Sequence, residues 1–293
     1  NNVTLNLVAS DHGIDVDGDF TLNSGDLTLS VGNKGLNVEY TATINGGTIT
    51  ILNSEEGIEA GYIIVNDGEI YITATDDGIN ISIPDDDTTN YNQGGQGRGQ
   101  GQGQMGGGRQ VANNPYYLQI NGGLIVVDAS GDGLDSNGSI TMNGGTVIVN
   151  GPTADMDGAL DFDGTFALNG GLLIAAGSAG MPQAPDETSP AVIVSVTFDA
   201  PLAGGTIVTI RSEDGVDVLT FAPSKTFQNV ILSAPELIYG ETYTIHYGGE
   251  STGTATNGLY TDGDYTGGDT FQSFTIGDGI TTVGASLGRG RGR

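Results

Sequence analysis

A phrase of about 22 residues recurs through the first part of the chain, and a repeat of that length leaves few folds open. Each phrase carries a small polar turn that leads, usually through glycine, to an aliphatic residue: Asp11-His12-Gly13-Ile14, Asn33-Lys34-Gly35-Leu36, Glu55-Glu56-Gly57-Ile58, Asp76-Asp77-Gly78-Ile79, Asp132-Gly133-Leu134 and Asp157-Gly158-Ala159-Leu160. A second turn follows at Asn23-Ser24-Gly25, Asn45-Gly46-Gly47, Asn66-Asp67-Gly68, Asn121-Gly122-Gly123, Asn143-Gly144-Gly145 and Asn169-Gly170-Gly171. Where nothing intervenes the spacing is 21 or 22 residues, and the last coil is about four longer.

Between the turns the chain alternates, as in Thr48-Ile49-Thr50-Ile51, Glu69-Ile70-Tyr71-Ile72 and Thr146-Val147-Ile148-Val149. Period two turns one side chain in two toward an apolar face, which is the pattern of a strand and not of a helix. A 22-residue unit is too short for a helix-bearing horseshoe repeat or a four-stranded propeller blade, and the nine-residue period of a glycine-aspartate calcium roll is missing. One turn of a solenoid fits. The expected fold is all-β: a right-handed parallel β-helix of about six to eight coils over residues 1–188, followed by a small antiparallel β domain over 189–283 and a Gly/Arg tail over 284–293.

Three further features shape that layout. Residues 88–114 break the rhythm, and 94–108 hold little but Gly, Gln and Arg, so this stretch reads as an insertion within the fourth coil. Prolines 182, 185 and 190 mark a link, after which alternating strands are expected at 191–198, 206–211, 216–221, 230–233, 242–247 and 270–276, with Ser212-Glu213-Asp214-Gly215 as a hairpin turn. No window is apolar enough to cross a membrane as a helix, and the first residues read as strand and not as an export leader.

Charge narrows the partners. Thirty-six acidic residues face eight basic ones, a formal charge of −28, which repels nucleic acid and anionic lipid. Neither nucleic acid nor membrane insertion is expected. With no cysteine, thiolate metal sites and redox chemistry are also excluded. Five of the eight basic residues, Arg98, Arg109, Arg289, Arg291 and Arg293, lie in the two Gly/Arg segments, leaving an acidic body that such segments could contact.

Aligned coil on coil, the acids form columns. Two places after the turn glycine, or its equivalent, stand Asp15, Asn37, Glu59, Asn80, Asp135 and Asp161. Two further on stand Asp17, Glu39, Gly61, Ser82, Asn137 and Asp163, and Asp11, Asn33, Glu55, Glu56, Asp76, Asp77, Asp132 and Asp157 precede it. Stacked strands lie about 4.8 Å apart, so like charges in a column destabilise the stack unless a cation or a proton intervenes. Oxygen-only ligands mixed with Asn amides suit Ca²⁺ better than Zn²⁺ or copper, and only two histidines are present. The expected metal ligands are Glu55, Glu56 and Glu59 with Asp76, Asp77 and Asn80; Asp132 and Asp135 with Asp157, Asp161 and Asp163; and Asp11, Asp15 and Asp17. A single Asp-Gly or Asn-Gly pair needs nothing beyond a tight turn to explain it.

The recurring Asp-Asp-Gly-Ile and Asn-Gly-Gly turns, the Gly/Gln insertion, and Tyr243, Gly248-Gly249 and Gly258-Leu259-Tyr260 near the end resemble the bacterial secreted carbohydrate-binding β-helix domains. The resemblance implies an extracellular, secreted or surface-attached, calcium-dependent binder of cellulose-like or pectin-like polysaccharide, related in fold to family 9 polysaccharide lyases. A lyase needs a base beside calcium, and the helix body offers only Lys34, more simply read as an ion-paired lysine. Binding without catalysis is therefore the leading expectation. Sugar rings stack on aromatic faces; with no Trp in the chain, Tyr62, Tyr71, Tyr116 and Tyr117 are the candidates in the helix. The alternative is a self-assembling fibre subunit, since the first coil starts with no visible cap and the five arginines could dock on the acid columns of another copy.

Overall fold

The computed structural model describes residues 3–82 and 115–285, and among these every regular element is a strand. The expected parallel β-helix is present, with six complete coils and the start of a seventh. Its first wall stacks Thr4–Ala9, Asp26–Val31, Thr48–Ser54, Glu69–Ala74, Leu124–Asp128, Thr146–Asn150 and Leu172–Gly177, all parallel, with the register broken only near the end of Thr48–Ser54. The second and third walls fuse through the long strands Leu36–Ile44 and Ile58–Val65 and separate elsewhere into short ones, such as Leu134–Ser136 and Ser139–Met142. The fourth coil leaves after Ile79–Ile81 and resumes at Tyr117–Ile120, which pairs with Ile58–Val65 on one side and Ser139–Met142 on the other. Both stacks therefore continue unbroken between Ile81 and Tyr117.

Alternation does what the sequence implied. Leu29, Ile49, Ile51, Ile70 and Ile125 point from the first wall into the helix and meet Ile58, Ile79 and Leu134 from the second, all essentially inaccessible. Each such side chain removed from water contributes about 1.5–3 kcal/mol before the entropy of ordering is set against it.

The corner before the first wall is held by a ladder of asparagine amides. Asn45 Nδ2 donates to Asn23 Oδ1 at 2.9 Å, Asn66 to Asn45 at 2.7 Å, Asn121 to Asn66 at 2.7 Å, and Asn143 to Asn121 and Asn169 to Asn143 at 2.8 Å each. The glycine two places later must be glycine: Gly123 has φ +80°, and a Cβ there would sit 2.7 Å from the Gly68 carbonyl of the coil below.

The C-terminal strands do not form a sheet of their own only. Phe227–Ser233 pairs antiparallel with Leu172–Gly177, Ile193–Leu202 pairs with Phe227–Ser233, and Ile280–Gly284 adds in parallel, so one ten-stranded sheet runs from the helix into the C-terminal half and covers the last parallel edge. A six-stranded antiparallel sheet packs on this extension, with Phe198, Phe221, Phe227, Ile210 and Ile245 forming a second core that also takes in Ile174 and Ala176 of the helix. The expected hairpin at 212–215 is present, with Gly215 at φ +87° donating to the Ser212 carbonyl at 3.0 Å.

Candidate functional site

Two regions gather functional side chains. The first is the edge between the first and second walls. Register places Asp15, Asn37, Glu59, Asn80, Asp135 and Asp161 opposite one another in consecutive coils, the column expected from the sequence. The turn ahead of that column keeps the expected alignment as well. The Gly133 N–H donates to the Gly158 carbonyl and the Gly78 N–H to the Asp132 carbonyl, so Asp132 stacks between Asp77 and Gly158. Asp157 lies one place earlier, in line with Gly131 and Asp76, as the aligned turns imply, and the longer sixth coil takes up its extra residues ahead of this turn.

In the first coils amides and a lysine answer the acids. Asn33 Nδ2 donates to Asp11 Oδ1 at 3.1 Å and Asn37 Nδ2 to Asp15 Oδ1 at 2.7 Å, while Asp17 is exposed. Lys34 forms an ion pair with Glu59 and lies 3.9 Å from Glu56. Glu55 and Asp76 are exposed on the outer side of the turn. Gln183, from the link after the sixth coil, donates to Asp161 Oδ1, and Asp163 is exposed.

In the middle coils there is no such compensation. Asp77, Asp132 and Asp135 are half-buried neighbours. Burial pushes the Asp135 carboxyl up to about 8, with repulsion from Asp77, Asp132, Asp161 and Asp163 adding to it. Burial likewise raises Asp77 to about 7, against the Asp132 N–H it accepts at 2.7 Å, and Asp132 to about 6, against the Gly158 N–H it accepts at 2.6 Å. Beside them Asn80 donates to Glu56 Oε2 at 3.4 Å, but its own buried Oδ1 accepts no hydrogen bond. Among the described residues no three His, Cys, Asp or Glu side chains already converge as a metal cage.

The second region is a cleft of about 400 Å³ on the outer face of the first wall. Its floor is Thr50, Leu52, Tyr71, Thr73 and Val126, contributed by three consecutive coils, with Leu52 56% exposed. Its wall is Ala222, Ser224, Asn257 and Gly258 of the C-terminal half. The Tyr71 hydroxyl donates to Glu69 Oε2 at 2.8 Å, and burial together with that carboxylate keeps the phenol protonated by raising its pKa. The wall is pinned to the helix. Ser224 N–H donates to Asn150 Oδ1 at 2.7 Å, Ser224 Oγ to Asp128 Oδ2 at 3.0 Å, and Lys225 Nζ reaches Asp128 at 2.5 Å and the Ala129 carbonyl at 2.6 Å.

Of the four tyrosines singled out in the sequence, Tyr71 alone lines this cleft. Tyr62, Tyr116 and Tyr117 form a separate cluster on the third wall, with ring centroids 5.1 Å apart for Tyr62 and Tyr116 and 5.1 Å for Tyr62 and Tyr117; Tyr116 is buried and the others are half-buried. Arg98, Arg109, Arg289, Arg291 and Arg293 lie outside the described residues.

A family model described as carbohydrate-binding domain-containing protein matches residues 2–158, more than half of the chain. The chain belongs to this family. No curated protein and no solved structure matches it. The carbohydrate-binding match takes in the whole floor of the cleft and the acid columns through Asp157, whereas Asp161, Asp163 and the cleft wall at 222–258 lie beyond it.

Proposed function

We propose that this protein is a non-catalytic polysaccharide binder of the cell exterior that lays a sugar chain over Tyr71, and that Ca²⁺ holds its acid columns together. Family membership supports the carbohydrate, and the observation that carries the site is the cleft. An aromatic face and two aliphatic side chains are open there beside hydroxyl, amide and carboxylate groups, which is the mixture that matches sugar C–H and O–H surfaces. Non-catalytic action is supported by Lys34, the one basic residue of the helix body that could serve as a lyase base, which is engaged by two carboxylates.

The residues fit calcium at one place. Asn80 Oδ1 is a buried acceptor with no donor, among three carboxylates that burial and mutual repulsion hold toward their neutral forms, so a divalent cation would satisfy the orphan oxygen and the charge together. Asp77, Asn80, Asp132 and Asp135 would hold it. Bound calcium supplies neutralisation, stiffening the stack that presents the cleft.

The test is retention of the purified protein on insoluble cellulose and on cross-linked pectin, with and without chelator. Retention on at least one is expected, and failure on both overturns the reading. A second reading, assembly with other copies, draws on the outer strands Thr4–Ala9 and Ile280–Gly284, each paired on one side within the ten-stranded sheet. Sedimentation at high concentration with calcium separates a fibre subunit from a monomer.

A further inference from the structure

The matched stretch ends at residue 158, yet one side of the cleft is built by residues past it. Thr254–Thr256 and Leu259–Thr261 are the arms of a two-residue hairpin whose tip, Asn257-Gly258, overhangs Tyr71. Both tip residues have positive φ, +52° and +81°, the geometry of the tight hairpin turn that Asn-Gly favours. Its position is fixed from behind: Ala222 N–H donates to the Gly258 carbonyl at 2.7 Å, and a Cβ on Gly258 would lie 2.5 Å from the Ala222 carbonyl. Asn257 and Tyr71 line the same cleft, so the tip and the aromatic floor are set against one another.

The charges around this cleft are one-sided. Asp128 lies on the lining, and Glu69 holds the Tyr71 hydroxyl. The nearby cation, Lys225, is consumed by Asp128 and the Ala129 carbonyl. Among the described residues nothing on the lining would compensate a carboxylate-bearing sugar, while Asn257, Asn150, Thr50, Thr73 and Ser224 offer neutral donors and acceptors.

We propose that the Asn257-Gly258 hairpin tip is the second wall of the sugar site, that Asn257 contacts the bound sugar, and that the cleft it completes selects an uncharged polysaccharide over a polyuronate. The inference rests on the carbohydrate reading above. A hydroxyl-rich chain lying on Tyr71 would meet the amide of Asn257 from the opposite side, and that amide can both donate and accept. The C-terminal half is then part of the binding site as well as the end of the solenoid.

The experiment measures affinity for cellohexaose and for polygalacturonate in chelator, so that calcium bridging to the acid columns cannot contribute. It uses the full chain and the variants Asn257→Gly and Asn257→Asp, both of which keep a residue suited to the turn. Expected are binding of cellohexaose but not polygalacturonate, a loss of about fivefold to tenfold in Asn257→Gly with an unchanged melting temperature, and a further loss in Asn257→Asp. If the unaltered protein binds cellohexaose and Asn257→Gly binds it equally, or if polygalacturonate binds as well as cellohexaose, this inference falls and the carbohydrate reading stands. Binding of neither probe, together with no retention on cellulose or pectin, overturns both.

Discussion

Asp135→Asn is the substitution for which the structure gives the sharpest expectation. In the folded protein the Asp135 carboxyl titrates near 8 instead of 3.8, chiefly because it is buried and secondarily because Asp77, Asp132, Asp161 and Asp163 surround it. The sign follows from proton binding. Between pH about 4 and about 8 the folded chain holds a proton that the unfolded chain has released, so without calcium stability falls as pH rises through that window and is flat above it. The nominal span of four units corresponds to about 6 kcal/mol at 1.36 kcal/mol per unit. Asp77 and Asp132 share the same protons and relax when one carboxylate is removed, which reduces the gain from a single replacement to about 2–4 kcal/mol. The new amide also lies in register beside Asn80, whose Oδ1 lacks a donor. At pH 8 in chelator, Asp135→Asn is therefore expected to melt about 5–10 °C above the unaltered protein, at about 2–3 °C per kcal/mol for a chain of this size. The difference closes near pH 4.5, where both side chains are neutral. Added calcium raises the melting temperature of the unaltered protein more than that of the variant. Differential scanning calorimetry across pH 4.5–8.5 measures all of this. A variant no more stable than the parent at pH 8, or a parent whose calcium-free stability does not fall with pH, refutes the reasoning.

Lys34→Met removes the cation between Glu56 and Glu59 and leaves both partly buried and unpaired. A loss of about 2–4 kcal/mol at pH 7 is expected in urea melts. Asn121→Ala breaks the amide ladder at its middle, where Asn121 donates to Asn66 and accepts from Asn143. Because the ladder is exposed and water replaces part of it, the cost should be about 1–2 kcal/mol, read from the same melts; no loss would mean that the glycines alone hold the corner. Tyr71→Ala should weaken sugar binding about tenfold or more by titration calorimetry, and Tyr71→Phe, which keeps the ring, should stay near the parent. Equal affinity in Tyr71→Ala removes the ring from the site.

The helix was legible because its signal is redundant: six copies of two turns and a period-two pattern between them all demand the same coil. The columns followed from the repeat, and Asp15 through Asp161 fell where alignment put them. Asp157 fell in line with Asp76 likewise, because the four extra residues of the sixth coil are taken up ahead of its turn and leave the Gly133 to Gly158 hydrogen bond in phase. The asparagines were recognisable as turn formers but not as a ladder, because a turn preference is local and the amide chain depends on every corner having the same orientation. In the C-terminal half, alternation marked strands at 242–247 and elsewhere but could not say which edge each would join. The parallel addition of Ile280–Gly284 and the seam at Phe227–Ser233 had no local signature. The cleft was out of reach for the same reason, its floor at 50–128 and its wall at 222–258 being joined only by the fold.

The ten-stranded sheet that passes from the last coil into the C-terminal half also sets how the molecule bears force. At the seam, Leu172–Gly177 and Phe227–Ser233 are joined across five residue pairs. Tension between the halves therefore falls on a whole row of backbone hydrogen bonds at once and not on a pliable connection. The wall and floor of the cleft, tied by Ser224 to Asn150 and by Lys225 to Asp128, are thereby loaded together as parts of one beam.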